Sequence, residues 1–110
     1  MRLPQVERAV VEPTKIRDYL LSASHPVGRF KAQFFVALGY SQERWDILAA
    51  DLKRHAEVGI ATEREMSPYG QKFEVRGRLV GPSGRTAEII SVWMILRGMD
   101  APKLITAFPG

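Results

Sequence analysis

The sequence predicts an α+β fold in which three N-terminal helices pack on one face of a three- to four-stranded antiparallel sheet. Three observations carry that prediction. Apolar residues recur every three to four positions as far as Gly59 and then tend towards every second position, the change from helical to strand periodicity. Two Pro/Gly turns, Ser67-Pro68-Tyr69-Gly70 and Gly81-Pro82-Ser83-Gly84, punctuate the second half at hairpin spacing. The 110 residues, 45% of them hydrophobic, suffice for one core and not for two. Residues 1–110 therefore read as a single domain, with an arm over 1–13, a helical half over 14–58 and a sheet over 60–108.

The arm mixes charge and proline with a short apolar step from Ala9 to Val11, and has no period. Thr14 reads as the N-cap of a short helix running to about Ser22, with Ile16, Tyr19 and Leu20 on one face. A turn at Ser24-His25-Pro26-Val27-Gly28 leads into a second helix over Arg29 to Leu38, with Phe30, Phe34, Ala37 and Leu38 on its stripe and Gly39 as its stop. Ser41 reads as the cap of a third helix. Its face is Trp45, Leu48, Ala49, Leu52 and Ala56, and Gly59 ends it.

Ile60 to Met66 is a polar strand. Gln71 to Val80 alternates, with Phe73, Val75, Gly77 and Leu79 on one side and Lys72, Glu74, Arg76 and Arg78 on the other. After Gly81-Pro82-Ser83-Gly84 the chain doubles back into Arg85 to Leu96. The nearly unbroken apolar run Ile89 to Leu96 predicts a central strand covered on both faces. Lys103 to Phe108 is the last strand. Trp93 and the phenylalanines at 30, 34 and 35 are read as core.

Sixteen basic residues against twelve acidic ones give a formal charge of +4, which favours anionic partners such as nucleic acid or an acidic protein. The absence of cysteine excludes disulfides, thiolate catalysis and Cys-type zinc sites. Two histidines without suitably spaced acidic or cysteine ligands predict no metal site, and no cofactor motif is present. No apolar run has membrane-spanning length and the N-terminus lacks the apolar centre of a signal peptide, so the expected location is cytoplasmic, with no membrane contact.

Chemistry must then come from His, Lys, Arg, Tyr, Ser, Thr or a carboxylate. His25 sits in a turn at the mouth of a helix whose unpaired N–H groups favour an anion, with Arg29 and Lys31 close behind. The plainer reading makes His25 a helix cap and the two cations a solvated face. Lys72, Arg76 and Arg78 project from one side of a strand, as phosphate-tracking residues or as an ordinary wet face, with Glu74 among them. Tyr69 in its turn is suited to stacking on a nucleotide or to covering a sheet edge. Gly81-Pro82-Ser83-Gly84-Arg85 lacks the Walker lysine and reads as hairpin geometry. His55, near a helix C-terminus, reads as structural. Ser91 and Thr106 are polar exceptions in apolar strands, so each satisfies a buried group or presents a hydroxyl at a site.

The order of motifs resembles a family of bacterial domains of unknown function. The resemblance rests on Thr14 to Leu21 (TKIRDYLL), His25-Pro26-Val27-Gly28-Arg29-x-Lys31-Ala32-x-Phe34-Phe35, Gly39-Tyr40 and Tyr69-Gly70-x-Lys72. It continues through Gly77-x-Leu79-x-Gly81-Pro82-x-Gly84-Arg85 and Val92-Trp93 to Leu104-Ile105-Thr106-Ala107-Phe108-Pro109, nearly the whole chain. That family looks like a toxin component of toxin–antitoxin pairs. Its layout is similar to the metal-independent ribonucleases of the barnase, EndoU, colicin and RelE class.

The resemblance implies His25 as general base or acid, Lys31 with Arg29 or Arg78 as stabilisers of a charged phosphorane, and Thr106 as its orienting hydroxyl; joined to the residue reading, this gives His25, Lys31 and Thr106 as catalytic and Arg29, Tyr69, Lys72, Arg76 and Arg78 as substrate-binding. It also implies an RNA substrate, an acidic antitoxin protein as partner, and no cofactor. Where family members close with a tyrosine before the final proline, this chain has Phe108, which removes one hydroxyl. The alternative is a non-catalytic interaction or nucleic-acid-binding module.

Overall fold

Four antiparallel strands in the order β1–β2–β3–β4 follow three helical segments in a computed structural model that describes Met1–Gly110. The strands are β1, Ile60–Ser67; β2, Gly70–Val80; β3, Thr86–Leu96; and β4, Lys103–Pro109. The helices are α1, Pro13–Lys15, which widens into a π turn over Ile16–Leu20; α2, Arg29–Ala37; and α3, Trp45–Val58. Helices precede strands, as the change of period predicts, and the sheet has four strands. No helix is long and apolar enough to cross a membrane.

The helix starts differ from expectation in detail. Pro13 holds the first position of α1, where its missing N–H costs nothing and its fixed φ suits the helix, so Thr14 lies inside. Ser41 takes the N–H of Arg44 at 3.3 Å in the turn ahead of α3. Within the N-terminal arm Val6–Arg8 form a 3-10 turn, and Val10 makes one parallel bridge to Lys103 at the β4 edge.

The pleat sorts the sheet into two faces. Phe73, Val75 and Leu79 of β2, Ile89 and Trp93 of β3, and Leu104 and Ala107 of β4 are buried with Ile16, Leu20, Phe35, Leu48 and Leu52 of the helical layer. The hairpin at 81–84 is tied to that layer. Ser83 donates to the Leu38 carbonyl through its N–H at 3.1 Å and its hydroxyl at 2.9 Å. Any Cβ on Gly81 would meet the same carbonyl, and Gly39, at φ +102°, turns the chain out of α2 beside it. These contacts are the physical content of the Gly81-Pro82-Ser83-Gly84 motif.

Two core readings change. Phe30 is 64% exposed rather than core, because it shares the outer side of α2 with Val36, whereas Phe35 and Trp93 are fully buried. The β3 run is not covered on both faces. Ile90, Val92 and Met94 pair with Arg76, Glu74 and Lys72 and share their side of the sheet, and none belongs to the core cluster.

Candidate functional site

The helical layer meets the sheet rim at β4, and there three side chains from distant parts of the chain converge on Tyr19. Lys31 Nζ donates to Tyr19 Oη at 2.6 Å, and Tyr19 Oη lies 3.1 Å from Thr106 Oγ1. The ring of His25 stands edge-on to that of Tyr19, with centroids 5.0 Å apart and planes at 72°. Lys15 Nζ lies 5.7 Å from the Tyr19 ring centre. Tyr19, His25, Lys31 and Thr106 are all half-buried, so the corner is both ordered and reachable.

Local structure explains the convergence. The π turn at Ile16–Leu20 rotates Tyr19 to the β4 rim while Ile16 and Leu20 enter the core. The 25–28 turn then packs tightly on it: any Cβ on Gly28 would run into the Tyr19 carbonyl and ring. Thr106 is the partner of Val92, just past a register shift between Val92 and Trp93, so it faces the open side of the sheet at an edge. Lys31 reaches across from the first turns of α2.

Electrostatics make the phenol unusual. Partial burial works to raise its pKa. The hydrogen bonds from Lys31 and Thr106, with the charges of Lys31 and Lys15, outweigh that and bring Tyr19 below the ordinary tyrosine value. A phenol made more acidic beside an ammonium is a proton-transfer group and a site for an oxyanion.

His25 has a second commitment. Its Nδ1 accepts the N–H groups of Val27 at 3.0 Å and Gly28 at 2.9 Å, so it caps the chain entering α2. Accepting at Nδ1 puts the ring proton on Nε2. The ring therefore offers an N–H donor, while a proton added at Nδ1 would displace both backbone donors.

Of the residues expected to act together, His25, Lys31 and Thr106 are joined through Tyr19. Lys72, Arg76 and Arg78 lie on the open sheet face, two strands from Thr106 and thus roughly 10 Å across the sheet. Arg29 and Tyr69 stand apart. Two positions at 3.6 residues per turn set Arg29 on the opposite side of α2 from Lys31, where it stacks on Phe30 at 4.8 Å. Tyr69 is 76% exposed at the β1–β2 tip, on the order of 15 Å from Thr106 by strand spacing.

Tyr19 is the site residue that the sequence reading placed on a core stripe. The available signal was a tyrosine on a buried stripe, whose hydroxyl needs a partner, together with the unexplained hydroxyl of Thr106. The other polar exception, Ser91, has a different role. Its Oγ accepts from Trp93 Nε1 at 2.8 Å and bonds His55 Nδ1 at 3.0 Å, while His55 Nε2 meets the Gly77 carbonyl at 3.2 Å. His55 is 2% exposed, and burial lowers its pKa against the opposing pull of the Gly77 and Ile89 carbonyls and Glu88, so it is a neutral strut rather than a cation at a helix end.

Residues 2–110 match the family described as domain of unknown function DUF6883, and the chain belongs to that family. No curated protein matches the sequence. Among solved structures, a chain of a contact-dependent growth inhibition toxin–immunity protein complex from Klebsiella pneumoniae 342 is similar. It is 19% identical, with a TM-score of 0.70 over 94% of this chain and 95% of that one. At that identity the likeness concerns the fold.

Proposed function

We propose that this member of the DUF6883 family is the toxin of a toxin–antitoxin pair and cleaves RNA, without a metal ion, at the Tyr19–Lys31–Thr106 corner. The observation that carries the reading is the Tyr19 hydroxyl, held between an ammonium and a second hydroxyl and made more acidic there. Tyr19, as phenolate, takes the proton of an RNA 2′-hydroxyl; the 2′-oxygen bonds to phosphorus as the bond to the 5′-oxygen breaks. Lys31 stabilises the charged phosphorane and passes a proton to the departing 5′-oxygen, leaving a 2′,3′-cyclic phosphate and a 5′-hydroxyl. The Tyr19 phenol then returns its proton to Lys31.

Thr106 orients the phosphate, and His25 contributes its Nε2–H as a donor to a phosphate oxygen. The cap on Nδ1 favours that role for His25 over one as general acid or base. Lys72, Arg76 and Arg78 take flanking phosphates on the open face. A ribonuclease held in check implies an acidic partner, whose charge speeds association with a chain of formal charge +4. The fold likeness to a chain of a toxin–immunity complex supports membership of such a pair, on either side of it.

Incubation of the purified protein with total RNA and EDTA tests this. Fragments ending in cyclic phosphate are expected; intact RNA, together with absence of toxicity on expression, contradicts it. A second reading, a non-catalytic interaction module, is favoured by one observation, the engagement of His25 Nδ1 in capping. In that reading His25→Ala leaves cellular effect and partner binding unchanged.

A further inference from the structure

The side of the sheet away from the helices carries a feature that solvated strand faces lack. Ile90, Val92 and Met94 form an apolar stripe down its centre, with Phe108 beside Ile90 on β4. Val92 is 4% exposed and lies outside the helix-packed core cluster, while Ile90, Met94 and Phe108 around it are half-buried and supply the accessible apolar surface. A carboxylate at its margin is already engaged, Glu74 by Arg64 at 3.0 Å. Arg76, in the same cross-strand row as Ile90 and Phe108, and Arg78 beyond it join no ion pair or hydrogen bond and are exposed. An apolar platform beside guanidinium groups held in no ion pair, with Glu88 across the strand pair from Arg78, suits a ligand with flat apolar faces and a polyanionic backbone.

We infer that this face binds single-stranded RNA by stacking an unpaired base on Phe108, with Arg76 and Arg78 on its backbone phosphates. Continuity with the corner favours RNA over an acidic protein. Phe108 and Thr106 face the same way two residues apart, ~7 Å along β4, about the span of one nucleotide. A base on Phe108 thus sets the neighbouring phosphate at the Thr106 hydroxyl, within reach of Tyr19 and Lys31. Stacking demands an exposed base face, so the ligand is a loop, bulge or end rather than a duplex. The position of the scissile phosphate rests on the ribonuclease reading; the platform itself does not.

The test uses the full chain and a fluorescently labelled, fully 2′-O-methylated RNA strand, which lacks the attacking hydroxyl and reports binding alone. Phe108→Ala is expected to weaken binding about tenfold, and Phe108→Trp to retain it with quenching of the new indole on binding. Arg76→Gln is expected to weaken binding and flatten its salt dependence. Because Phe108→Ala loses packing as well as a ring, the tryptophan variant decides if the alanine variant unfolds. Equal binding of the duplex and the single strand overturns the inference, as does wild-type affinity in Phe108→Ala. So does absence of oligonucleotide binding while an acidic protein partner occupies the face.

The two readings fail separately. Intact natural RNA with Phe108-dependent binding of the methylated strand removes the nuclease and keeps the platform. Cleavage of natural RNA indifferent to Phe108→Ala and Phe108→Trp removes the platform and keeps the nuclease.

Discussion

Two polar clusters, each a histidine near a hydroxyl and an aromatic ring, divide the molecule between structure and chemistry. At the centre, Trp93 donates to Ser91, Ser91 to His55, and His55 to the Gly77 carbonyl, a closed chain of neutral groups with every donor spent inside the fold. At the β4 rim, Tyr19 is hydrogen-bonded to Lys31 and Thr106 and meets the His25 ring edge-on, but two cations are present and the cap at His25 Nδ1 leaves its Nε2–H without a hydrogen-bond partner. Burial is the difference. A desolvated cluster must be neutral and complete, whereas a half-buried one can hold charge against a phenol and still meet a ligand.

The comparison is broken most directly by removing the rim charge. Lys31→Met is expected to lower RNA cleavage on the order of 10²–10⁴-fold while changing stability by less than about 1 kcal/mol, since the ion is half-exposed. Cleavage rates and urea unfolding on the same preparation measure both. Ser91→Ala is the mirror experiment. It strands Trp93 Nε1 and His55 Nδ1 in the core, so urea unfolding is expected to show a loss of about 3 kcal/mol, with cleavage per folded molecule unchanged.

A smaller effect sharpens the electrostatic side. Burial lowers the His55 pKa in the folded state, so the unfolded chain binds its proton first as pH falls. Stability is therefore complete above about pH 6.5 and declines below it towards the lowered folded value. Unfolding across that window checks the sign, and His55→Gln should flatten the slope. His25→Ala should cost about 1 kcal/mol through the lost cap, less than the loss from Ser91→Ala.

Phenolate absorbance separates the tyrosines. Tyr19 ionises below its ordinary value and Tyr40 above it, because burial and the Asp51 carboxylate 2.7 Å away both oppose its ionisation. Tyr19→Phe should delete the low step and Lys31→Met should move it upward.

The sequence announces the hairpins because their turns are local. Gly81 to Gly84 specifies a reversal from four adjacent residues, and Gly39 stops α2 by its own backbone freedom. The α3 face is legible for the same reason, whereas the α2 face is not: Phe30 and Ala37 of the expected stripe are exposed, and Ala32 and Phe35 are buried instead. Coverage of the second sheet face was not, because Ile90, Val92 and Met94 carry the composition of buried residues whether or not a layer lies over them. Tyr19 was hidden by distance, since its hydroxyl meets one 87 positions away, at a register shift that no local pattern encodes. The cap reading of His25 was available from the turn, while the Nε2–H orientation follows only from the geometry of Val27 and Gly28.

The central claim is that the rim cluster is the reactive one, and Tyr19→Phe tests it by removing a single oxygen. Wild type and variant are incubated with total RNA in EDTA, with matched circular dichroism. The account predicts cyclic-phosphate fragments from the wild type and intact RNA from a folded variant. Equal cleavage by both, or intact RNA with both, contradicts it.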